Sequence, residues 1–166
     1  DDAQLLLNCA RGLGRFVAVA DGRSHPATRN RVDAADEVHV LPINVFPDAP
    51  DTRLHLLPSD AAVLMTHSFE QDSRILASLL SDTRERPFEY IGVLGPQRRT
   101  REVLAQVARL LHLAPTTVRI EQWLQQIHAP TGIARGADTT AATALSILAQ
   151  IRRTLNTTPA LPTSTL

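Results

Sequence analysis

The sequence contains no lysine: all seventeen basic residues among its 166 are arginine. That excludes Schiff-base chemistry on an ε-amine. Cysteine occurs once, at Cys9, which rules out a disulfide framework and a thiolate metal cluster within the chain. Seventeen acidic residues balance the arginines, so no net charge argues for nucleic acid or an anionic membrane surface as a partner. No apolar run reaches membrane-spanning length and no signal peptide opens the chain, which reads as a soluble, cytoplasmic domain. His25, His39, His55 and His112 are scattered without ligand spacing, and no metal site is expected. The length suits one domain with a real core.

What is present is organised around Tyr90 to Arg101, YIGVLGPQRRTR. Tyr90 to Leu94 is an apolar run of strand length, Gly95-Pro96 turns the chain, and Gln97 opens a helical period through Val103, Leu104, Val107, Leu110 and Leu111. A helix start rich in arginine suits an anion, because free N–H groups and forked guanidinium donors both favour negative charge. The same arginines also suit a solvated outer face.

Upstream, Leu5, Leu6, Cys9, Ala10 and Leu13 predict a helix stopped by Gly12 and Gly14, and Phe16 to Ala20 predicts a strand ending at Asp21-Gly22-Arg23. An acidic residue after a second strand is where dinucleotide folds hold a ribose, and their first strand and glycine turn lie just before it. The expectation is therefore that this first strand and turn are missing from the chain. His25 to Asp36 is a polar excursion, Glu37 to Leu41 a short strand, and Pro42 to Pro58, with four prolines, a loop. Ala61 to Met65 is the next strand, and Ser68 with Gln71 makes a capping box for a helix carrying Ile75, Leu76, Leu79 and Leu80 inward. After the arginine helix, a short helical pattern has Val118, Trp123 and Ile127 as packing residues. His128 to Ile133 reads as a loop around Pro130 and Gly132. Asp138 or Thr139 caps a last helix with Ala144, Leu145, Leu148 and Ile151 inward. Residues 1–156 form the domain, and 157–166, with two prolines and four threonines, a disordered tail.

Alternating strands and helices predict an α/β fold, a Rossmann-like parallel sheet with helices on both faces. Ligands in such sheets bind beyond the carboxyl ends of the strands. Asp21-Gly22-Arg23, Thr66-His67 and Gly95 to Arg99 all fall there. Asp21 suits a ribose or pterin edge, or simply a strand-end turn. Arg23 suits a phosphate or solvent. His67 offers a switch-point contact or a turn residue beside Ser68. Arg98 and Arg99 are the anion candidates, one of them facing solvent, with Gly95 allowing close backbone approach. His128, ahead of Pro130 and Gly132, either closes over a ligand or is a satisfied loop histidine. No acid–base constellation surrounds His67 and Ser68, so no catalytic residue is assigned.

MTHSFEQDSRILASLL, YIGVLGPQRRTREVL and IHAPTGIARGADTTAATALSILAQI, in that order and spacing, resemble the C-terminal Rossmann-like domain of the XdhC/CoxI family of xanthine dehydrogenase accessory factors. DDAQLLLNCARGLGRFVAVADGR is similar to the family's first helix and second strand. At Ala134-Arg135 the chain departs from the family's acidic-then-apolar pair. The family's N-terminal domain carries a cysteine whose role does not transfer to Cys9. The resemblance implies a non-catalytic maturation factor that binds molybdenum cofactor (molybdopterin), assists its sulfuration and delivers it to a xanthine dehydrogenase-type molybdoenzyme. A cysteine desulfurase and a second copy of the chain are further implied partners. The alternatives are an NAD(P)-dependent oxidoreductase on the same fold, and an interaction module docking through the arginine helix.

Overall fold

The computed structural model describes residues 2–21, 33–40, 61–81, 89–132 and 139–157. Arg23, the 42–58 loop, Ala134-Arg135, Asp138 and the tail beyond residue 157 lie outside the described residues.

Strand β4 (Tyr90–Val93) is the hub, with all four residues buried. It pairs in parallel with β3 (Ala61–Leu64), Ala61 opposite Tyr90 and Leu64 opposite Val93. The ladder continues one step further, the Leu94 N–H donating to the Leu64 carbonyl at 2.9 Å. Side chains alternate along β4 as pleating requires. Ile91 and Val93 enter the main core, while Tyr90 and Gly92 turn to the opposite face.

Helices α2 (Phe69–Ser81) and α3 (Gln97–Leu110) pack on one another. They fill that core with Leu76, Leu79, Val103, Leu104 and Val107. Tyr90 and Gly92 are covered by α5 (Thr140–Thr157), which also packs on α1 (Asp2–Gly12). Helices thus lie on both faces of the sheet, and the Rossmann-like expectation holds.

A second parallel pair joins β1 (Ala18–Asp21) to β2 (Glu37–Val40), Ala18 opposite Glu37. It has its own small core of Leu7 and Ala35 with Val17, Val19, Ala34 and Val38. Asp36 pins it by bonding the Arg11 guanidinium and accepting from the Val17 N–H at 2.8 Å. The backbone hydrogen bond, with Arg11 beside it, holds the Asp36 carboxyl below its ordinary value. Among the described residues the strands form two parallel pairs, β1 with β2 and β3 with β4.

Several sequence expectations shift by a residue or two. Phe16 is 69% exposed because the strand begins at Ala18, and Leu13 is 59% exposed because α1 ends at Gly12; Leu7 is the buried leucine instead. Helix α4 (Thr117–Leu124) starts at Thr117, capped by the Thr116 hydroxyl accepting from the Arg119 N–H. That register turns Val118 out to 68% exposure and packs Ile120, Trp123 and Leu124. In α5, capped by Thr139, Leu145 is 66% exposed and Ile147 takes its place inside. No described helix is long and apolar enough to cross a membrane.

Candidate functional site

Three segments meet at the carboxyl edge of β3 and β4. The first is 65–68. Thr66 donates its hydroxyl to Asp72 Oδ1 at 2.7 Å and accepts from the Ser68 N–H at 3.2 Å. Ser68 caps α2 by accepting from the Gln71 N–H at 3.2 Å. Only half of the predicted capping box therefore forms. Thr66 takes the Ser68 amide that the Gln71 side chain was expected to bind, and Gln71 Nε2 is left buried without a partner. His67 stands exposed at the turn.

The second segment is 94–99. Gly95 has φ +116°, in the region that favours glycine, and a Cβ there would meet only Arg99 Cδ at 3.7 Å. The conformation, not crowding, therefore asks for glycine. Helix α3 follows with Pro96 as N-cap, no side-chain cap and no acidic residue in its first turn. Its free N–H groups and dipole favour an anion.

The two arginines of that turn divide. Arg98 is 90% exposed and touches Glu102 at 3.1 Å. Arg99 reaches back to α2, with Nη1 at 2.7 Å from Asp72 Oδ2 and Asp72 itself 1% exposed. This is a charge contact out of hydrogen-bond alignment, since Asp72 Oδ2 and Arg99 Nη2 both lack an aligned partner. Sequence reasoning missed Asp72 because an acid in the first turn of a helix reads as a dipole complement. Here it is a buried tie between α2 and α3.

The third segment is 128–132. Predicted as loop, it begins instead as an added edge on β4. The His128 N–H donates to the Ile91 carbonyl at 2.7 Å, and the Val93 N–H to the His128 carbonyl at 2.9 Å. The Thr131 N–H then donates to the Val93 carbonyl at 3.0 Å. Ala129–Pro130 is cis and Gly132 has φ +107°. The His128 ring stacks on Tyr90, centroids 4.5 Å apart and planes 12° from parallel. Pro130 is exposed beyond it.

Thr66, His67, Gly95, Arg98, Arg99, Pro130 and Gly132 are thus brought to one edge, while His128 sits beside Gly92 within the sheet with its ring packed on Tyr90. Asp21 closes β1, half-buried, in the other strand pair. Among the described residues no three His, Cys, Asp or Glu side chains gather as metal ligands. The edge therefore offers a helix N-terminus, an exposed guanidinium and backbone groups, which suit an anionic organic ligand. A 660 Å³ cavity lined by Leu80, Leu111, Leu113 and Trp123 lies elsewhere, at the far ends of α2 and α3.

Burial lowers the pKa of His128 from its ordinary 6.5. The unfolded chain then takes up this proton before the folded one. The contribution to stability is whole above 6.5 and is lost as pH falls from there through the lowered folded value. Replacing His128 with phenylalanine, which keeps the stack, should flatten the fall of the urea midpoint between about pH 7.5 and about pH 5. An unchanged slope would count against a neutral, packed imidazole.

Comparison with known proteins gives the same frame. Residues 1–151 match the model of the XdhC Rossmann domain. A probable xanthine dehydrogenase subunit from Bacillus subtilis (strain 168) is 29% identical over 149 residues, covering 90% of this chain and 38% of the relative. The crystal structure of a xanthine dehydrogenase from Bacillus halodurans superposes with a TM-score of 0.68 at 26% identity, covering 99% of this chain and 42% of that one. The chain therefore spans about two-fifths of the length of either protein. With its parallel strands, its arginine helix start and a family match over nearly its whole length, the chain belongs to the XdhC Rossmann-domain family.

Proposed function

We propose that this chain is the cofactor-holding part of an accessory factor for a xanthine dehydrogenase-type molybdoenzyme. It binds molybdenum cofactor at the carboxyl edge of β3 and β4, assists its sulfuration and passes it on, without turnover of its own. The observation that carries the reading is the meeting of 65–68, 94–99 and 128–132 beside the uncapped start of α3. A pterin bearing a phosphate fits the groups present: Arg98 and the first-turn N–H groups for the phosphate, Gly95 for close approach. The redox chemistry belongs to the cofactor and is exercised in the enzyme that receives it. A cysteine desulfurase and a second copy of the chain complete the partners of this reading, and the cytoplasm is its compartment.

NAD(P) is the second reading, favoured by one observation. Asp21 closes β1 at the position where dinucleotide folds accept hydrogen bonds from a ribose.

The test is a paired titration with molybdenum cofactor and with NADPH. Arg98→Ala should leave the fold unchanged, because this side chain is 90% exposed. It should weaken cofactor binding by about 1.5–3 kcal/mol, the worth of a charged hydrogen bond. A loss below about 0.5 kcal/mol would remove Arg98 from the site. Preference for NADPH would overturn the accessory-factor reading.

A further inference from the structure

The face of β4 opposite the main core carries a hydrogen-bonded chain that the functional reading does not use. The Tyr90 ring lies back over Gly92, so closely that a Cβ at Gly92 would sit 2.8 Å from Tyr90 Cε1. The Tyr90 hydroxyl then meets Thr131 Oγ1 at 2.5 Å and donates to Gln150 Oε1 at 2.8 Å. Gln150 Oε1 accepts a second bond at 2.7 Å, from the N–H of Gly132. The donors and acceptors close without conflict. Thr131 donates to Tyr90, Tyr90 donates to Gln150, and Gly132 donates to the same carbonyl, whose two lone pairs are both used.

One turn earlier on α5, Ser146 Oγ would stand 2.7 Å from a Cβ at Gly132, so the segment lies directly on the helix. Burial pushes the Tyr90 hydroxyl up to about 12, so it remains a donor throughout the neutral range.

We propose that Gln150 is a positioning residue: its carboxamide, acting through Tyr90 and Gly132, holds segment 128–132 at the carboxyl edge in the geometry the ligand meets. This rests on the cofactor-binding reading above. Two features argue for positioning rather than general packing. Gln150 binds the segment's backbone at Gly132, one residue beyond the last ladder bond to β4, where the main chain leaves the strand. The acceptor also comes from α5, which packs on both β4 and α1. The end of the segment is therefore fixed by a helix rather than by its own ladder.

The experiment compares Gln150→Met, which keeps length and removes the acceptor, with Gln150→Glu, which restores an acceptor oxygen at the same reach. The first readout needs no ligand. Amide exchange at Gly132 should quicken by about tenfold in Gln150→Met, return toward wild type in Gln150→Glu, and leave the β4 amides unchanged. The second is titration with molybdopterin released from a molybdoenzyme. Affinity should fall by about tenfold in Gln150→Met and recover in Gln150→Glu.

Unchanged Gly132 exchange in Gln150→Met would overturn the clamp. Freed Gly132 with unchanged affinity would overturn the positioning role. If wild type binds no molybdopterin, the cofactor reading fails and the positioning role fails with it, while the exchange result still decides whether the clamp exists.

Discussion

Alanine at Gly92 is expected to destabilise the protein by about 3 kcal/mol or more, the upper end of what overpacking a filled core costs. The added Cβ would sit 2.6 Å from Thr131 Oγ1, 2.8 Å from Tyr90 Cε1 and 2.9 Å from the Tyr90 hydroxyl. Real Cβ atoms do not approach so closely, so a neighbour must move. Neither neighbour is free to do so. Tyr90 is fully buried, stacked on His128 and bonded to Gln150, while Thr131 is 8% exposed and held to the Val93 carbonyl by its own N–H. Displacing the ring breaks the Thr131–Tyr90–Gln150 chain and leaves buried polar atoms unpaired, a further cost of about 1–3 kcal/mol for each. Gly95→Ala is the control, because its Cβ meets nothing nearer than 3.7 Å and its cost is confined to backbone strain of about 1–3 kcal/mol. Urea unfolding of the two variants separates the cases. A Gly92→Ala protein within about 1 kcal/mol of wild type would mean that the Tyr90 ring does not lie over this strand.

Gly92 also shows how far the sequence can be read. A glycine inside an apolar strand signals close approach of another group. The order Tyr-Ile-Gly-Val gives that signal, but not what approaches. The group lies 39 residues downstream at Thr131 and, through Tyr90, 60 residues from it at Gln150. Local periodicity carries no information about such partners, so β4 and α5 were legible and the clamp between them was not. The same limit explains 128–132. Pro130 and Gly132 argued correctly against helix, yet pairing with β4 is a long-range choice that proline and glycine do not encode. Val118 and Leu145 failed for a different reason. Both lie in helices with apolar residues on adjacent positions, so more than one stripe could be drawn, and neighbouring positions differ by about 100° around the axis. The turns at the strand ends carrying Thr66, Gly95 and the arginines were the most legible part of the candidate edge, because turn chemistry is local.

Asp72→Ala is expected to have the second large effect, about 3 kcal/mol, and it bears on function as well as stability. Removing one partner of a buried ion pair typically costs about 3–5 kcal/mol, because the other charge is left uncompensated. Arg99 retains 25% exposure and can turn part-way to water, which places the loss at the lower end of that range. The carboxylate also accepts from Thr66 at 2.7 Å, and that hydroxyl in turn receives the Ser68 N–H where the chain enters α2. Asp72→Asn separates these roles, since an amide oxygen can still accept from Thr66 while the charge is gone. About half of the alanine loss should remain in asparagine if the ion pair and the Thr66 bond contribute comparably. The charge itself opposes an anion at the start of α3, because a carboxylate paired to Arg99 cancels much of the field that guanidinium would offer. Asp72→Asn should therefore bind inorganic pyrophosphate several-fold more tightly while unfolding at lower urea. Such a protein would trade stability for affinity, as sites with buried charges commonly do. Weaker binding together with lower stability would reverse the assignment. Asp72 would then be the group that aims Arg99 at the ligand, and the neutral pair rather than the bare cation would be what the ligand meets.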